Sequence, residues 1–93
     1  MPTAKVSEAQ NDHIKAVGRV KFELALANAT MAVRSDNRLV GLDKIRVPLA
    51  FQAALEATGY PKQPFMLGRQ EMSAELQAIC NSILDKARAA AAP

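Results

Sequence analysis

An all-α fold is what this sequence predicts, and two observations predict it. Apolar residues between 7 and 33 recur at helical spacing over a length that no strand alternation matches. Aromatics supply 4% of the chain, with no Trp, so the core must come from Leu, Ile, Val, Met and Ala, residues that suit helices better than sheets. The architecture expected is a compact three-helix domain, with a long helix at about 7–33, a short one at about 48–58 and a third at about 69–88. Residues 1–6 are read as a flexible lead and 89–93 as an Ala-rich tail, and 1–93 as a single domain.

Ser7 and Gln10 stand at capping-box spacing and open the first helix. That helix has two apolar faces. At 100° per residue, Val17, Val20, Leu24, Ala27 and Met31 share one stripe. Gly18, Phe22, Ala25, Ala29 and Ala32, flanked by Leu26 and Val33, form a second stripe roughly opposite. Arg19, Glu23, Thr30 and Arg34 fill one seam between them, and Lys21 and Asn28 the other. A helix wet on one side needs a single apolar face, so this one is either central or shared between chains. On this reading Gly18 belongs to a small-residue side that lets another helix approach closely.

Arg34 to Arg38 is a polar break rich in turn formers. Leu39 to Val47 is expected to be extended or a short β segment, because Gly41 and Asp43 interrupt it and Pro48 disfavours helical geometry at Val47. Pro48 suits the first turn of the second helix and Gly59 its C-terminal cap. Pro61 and Pro64 forbid a helix through the connector that follows, where Phe65, Met66 and Leu67 are expected to plug the core. The third helix turns Met72, Leu76, Ile79, Cys80, Ile83 and Ala87 to one face and Glu71, Glu75, Asn81 and Asp85 away from it. Its Ala-rich end either frays or prolongs the helix.

The same residues limit the chemistry. Cys80 is the single cysteine, which excludes an internal disulfide, and its apolar neighbours mark it as a small buried hydrophobe. His13 is the single histidine, read as a surface residue with no ligand set beside it. Glu71 and Glu75 share a helix side, as a solvated face requires. No catalytic, metal or cofactor constellation is legible, so no cofactor is expected and the protein is read as non-enzymatic. No run is long enough to span a membrane and the first residues lack a signal-peptide core, which points to no membrane association and an intracellular, cytoplasmic protein.

The net charge is +3, and residues 34–69 hold six Lys and Arg against three Asp and Glu. A helix-turn-helix built on Gly59 fails, because Pro61 and Pro64 fall inside its recognition helix. The leading expectation is a small interaction or assembly protein that self-associates or binds another protein through helix faces. Its contact residues would be Val17, Leu24 and Met31, or else Gly18, Phe22 and Ala25. The alternative is a nucleic-acid-binding regulator in which Arg34, Arg38, Lys44 and Arg46 contact phosphates.

Overall fold

The computed structural model describes residues 7–66 and 72–93, and over these the protein is all-α. Four α-helices follow one another: α1 (Glu8–Val17), α2 (Arg19–Arg34), α3 (Asp43–Ala57) and α4 (Ala74–Ala91), with a 3-10 turn at Asn37–Leu39. No strand occurs among the described residues. Helices α2, α3 and α4 each pack against the other two, and α1 lies across α2 and α3.

Local sequence explains most of the boundaries. Ser7 Oγ accepts from the Gln10 amide at 3.1 Å and Gln10 Oε1 accepts from the Ser7 amide at 3.1 Å, so the capping box forms as read. At the end of α3, the Tyr60 amide donates to Leu55 O at 3.0 Å and the Gly59 amide to Glu56 O at 3.2 Å. This is the paired closure of a Schellman motif, and Gly59 at φ +111° supplies its left-handed residue. Ser73 caps α4 by accepting from the Leu76 amide at 3.1 Å.

Three expectations are corrected. The single long helix at 7–33 is two helices, because Gly18 adopts φ +100° and ψ 133°, outside helical space. A Cβ built on Gly18 would meet nothing within 4 Å, so this glycine serves a bend and not a close helix crossing. The extended segment at 39–47 is instead a 3-10 turn, a bend at Gly41 (φ +82°) and the first turn of α3, which starts five residues before Pro48. Helical geometry there places Ile45 and Leu49, four residues apart, on one buried face. That burial outweighs the local preference of Val47 and the hydrogen bond that Pro48 cannot donate. The third helix begins at Ala74 and continues to Ala91, which is itself buried, so the Ala-rich end belongs to the fold. The lead at 1–6, and the expectations for Leu67, for a helix start at Arg69 and for Glu71, lie outside the described residues.

The core is aliphatic and rich in alanine. Ala25 and Ala29 of α2, Ala50, Ala53 and Ala54 of α3, and Ala87 and Ala91 of α4 are all buried, with Val33, Leu39, Leu49, Leu55, Ile83 and Leu84 filling the remaining space. Small side chains at facing positions let three helices approach closely, and interiors demand such tight filling. Phe22 meets Phe51 edge-on at 5.6 Å. Phe65 plugs the core as expected, at 1% exposure, whereas its neighbour Met66 points outward.

Two buried carboxylates tie the connections to the helices. Glu56 receives the Arg88 guanidinium from α4 on one oxygen, and Gln52 Nε2 at 2.9 Å and the Gln63 amide at 3.0 Å on the other. Asn81 Oδ1 accepts from the Phe65 amide at 2.8 Å, which fixes the same proline-containing connector one step later. Asp36 takes three hydrogen bonds from Arg38, one backbone and two side-chain, and Lys86 of α4 stands 3.8 Å away. The bonded Arg38 guanidinium holds the Asp36 carboxyl down at about 2.

Candidate interaction surface

The two faces of α2 have separate fates. Phe22, Ala25, Ala29 and Val33 lie inside the domain, covered by α3 and α4. Val20 is 82% exposed, Leu24 63% and Met31 69%, and Ala27 between them is exposed as well. Val17 precedes this row at the end of α1 and is half-buried against the core. Steps of four, three and four residues from Val20 through Leu24 and Ala27 to Met31 make the narrow apolar seam that a second helix covers in coiled-coil packing. Lys21 and Asn28 flank the seam on one side and Glu23, Thr30 and Arg34 on the other.

Of the contact residues read from the sequence, then, Leu24 and Met31 face outward. Phe22 and Ala25 are consumed by the fold at 4% exposure each, and Gly18 forms the bend. Val20, the most exposed of the row, shared the stripe but was not singled out from its neighbours. The sequence signal for it was the stripe itself. Val40 and Val47 are also exposed, one in the bend before α3 and the other on α3.

The four cations read as phosphate contacts, Arg34, Arg38, Lys44 and Arg46, do not form one open patch. Arg38 is held by Asp36 and also reaches Ser82 Oγ at 3.3 Å. Arg46 donates to Leu39 O at 3.2 Å and to Arg34 O at 3.4 Å, satisfying a carbonyl at the end of α2, and stands 3.8 Å from Asp43. Arg34 and Lys44 are exposed and make no ion pair among the described residues.

Other residues with reactive side chains are built into the packing. Cys80 is fully buried and free, and burial pushes its thiol pKa up, which disfavours the reactive thiolate. His13 is half-buried, a departure from the surface position expected. Its Nε2 lies 2.9 Å from Thr58 Oγ1 and its ring meets Tyr60 edge-on at 5.4 Å. Thr58 Oγ1 also lies 2.9 Å from the carbonyl oxygens of Ala54 and Leu55, so the hydroxyl joins the His13 ring to the last turn of α3. No group of three or more His, Cys, Asp or Glu among the described residues could hold a metal ion. The surface depression lined by Lys62, Gln63, Pro64, Asn81 and Arg88 is open and already spanned by the Glu56 and Asn81 bonds. No described helix is long and apolar enough to cross a membrane. Comparison with protein-family models, curated proteins and solved structures yields no match. The class that fold and surface define is a small all-α domain with one apolar helix face turned outward.

Proposed function

We propose that this protein is a non-enzymatic assembly protein that self-associates through the outer face of α2. The observation that carries this reading is the exposed row Val20, Leu24 and Met31 on a helix whose opposite face is already core. Exposed apolar residues scattered singly are ordinary, but a row at seam spacing along one helix matches how helices recognise helices. The pattern is also self-complementary. In an antiparallel pair of α2 helices, Val20 falls opposite Met31 of the second copy and Leu24 opposite Ala27, large against small in each central layer. The same arrangement sets the two Arg34 side chains far apart, whereas a parallel pair brings them together at the end of the seam. Such an interface is isologous and closes as a dimer.

Sedimentation equilibrium of the wild-type chain and of a Leu24→Asp, Met31→Asp variant tests the reading. The wild type is expected to dimerise at micromolar concentration, and the variant to remain monomeric with unchanged helical circular dichroism. A wild type that stays monomeric at every concentration defeats it.

For the phosphate-binding alternative the support is narrower, because two of its four cations are engaged internally. Its signature would be affinity for nucleic acid that falls steeply with salt and weakens when Arg34 and Lys44 are neutralised.

A further inference from the structure

Helix α1 is attached differently from the other three. It buries no residue, whereas α2, α3 and α4 bury four, seven and five. Both its ends are closed by its own atoms, the N-terminus by the Ser7–Gln10 box and the C-terminus by the Gly18 amide donating to Ile14 O at 2.9 Å. Its hold on the domain is one small patch. His13 Nε2 is hydrogen-bonded to Thr58 Oγ1 and its ring lies edge-on to Tyr60, and Ile14 and Val17 rest half-buried against the core. All of the bend that lets α1 reach that patch is concentrated in Gly18, whose φ of +100° an L side chain rarely adopts and around which there is open space.

A helix that buries no residue, carries its own N-terminal cap and joins the domain at a glycine is a separate unit of stability. We infer that α1 is a hinged arm: it undocks about Gly18 while α2, α3 and α4 remain folded. Its release uncovers the C-terminal end of α3 together with Thr58 and Tyr60, so the arm acts as a lid on that end of the domain. This depends on the docking patch alone and not on self-association.

Amide hydrogen exchange on the full chain, with residue resolution, tests the arm. Amides in the hydrogen-bonded part of α1 are expected to exchange roughly a hundredfold or more faster than those of Ala29, Ala53, Leu55 and Ile83, through an opening that leaves the latter protected. His13→Ala should speed exchange in α1 a further ~10-fold, about the worth of one hydrogen bond, and leave the core amides unchanged. Gly18→Ala, which disfavours the docked bend, should move the His13 ring-proton resonances away from their Tyr60-shifted positions while the core spectrum persists. Exchange of α1 in step with the core, or equal loss of protection in both on His13→Ala, would overturn the inference. A monomeric protein with a releasing arm would sink the assembly reading alone, and a dimer with α1 locked to the core would sink the arm alone.

Discussion

The inner and outer faces of α2 are both apolar, yet one is sealed and the other open. Their difference is size at the centre of the helix, where the sealed face has Ala25 and Ala29 and the open face Leu24 and Ala27. The sealed face presents Ala25 and Ala29 between Phe22 and Val33, and the open face presents Val20, Leu24 and Met31. Two alanines at the centre allow α3 and α4, themselves faced with Ala50, Ala53, Ala54 and Ala87, to come close, and close approach maximises the apolar area removed from water. Within one chain, the face with two central alanines between Phe22 and Val33 is the one packed, and Val20, Leu24, Ala27 and Met31 are left outside the domain.

Truncation should separate the faces most strongly. Phe22→Ala removes a buried ring from the Phe51 contact and is expected to lower the unfolding free energy by about 3–5 kcal/mol in urea titration. Leu24→Ala, measured on dilute monomer, should change it by no more than about 0.5 kcal/mol. Equal losses would mean that the outer face is not free in the monomer.

Enlargement is the complementary test and a smaller effect. Ala29→Met forces new volume into a site with 0% exposure and should cost about 1–3 kcal/mol, whereas Ala27→Met, two residues before it on the open face, should be close to neutral. A tolerated Ala29→Met would show the inner crossing to be looser than its alanines imply.

The smallest effect concerns the anchored end of α2, where buried Asp36 ties the chain leaving that helix to Lys86 of α4. Its carboxyl has an ordinary value of 3.8 and is held at about 2 in the fold, so its stabilising contribution is complete above about 4 and is lost as pH falls through about 2. Thermal unfolding between pH 5 and 2 should show this loss as a slope, and Asp36→Asn should flatten it. An unchanged slope in the variant would assign the acid sensitivity to other carboxylates.

Much of the fold was legible because its signals are local. The Ser7–Gln10 box, the Gly59 cap and the block set by Pro61 and Pro64 act within a few residues, and each appears where the sequence places it. What was misread is what distance decides. Gly18 looks the same in sequence whether it permits a close crossing or a bend, and only the docking of His13 at the end of α3 and of Ile14 against the core selects the bend. Val47 before Pro48 favours extension on its own, and the burial of Ile45 and Leu49 reverses it. Arg38 and Arg46 look like solvated cations until Asp36 and the carbonyls of Arg34 and Leu39 are brought beside them.

By itself, the sequence determined the all-α class, the caps and the existence of two apolar stripes on α2, because periodicity and capping are properties of neighbouring residues. Which stripe went inside was decided only by tertiary structure. That choice depends on how closely α3 and α4 can approach, and so on alanines far along the chain, such as Ala53 and Ala87, which no local pattern can weigh.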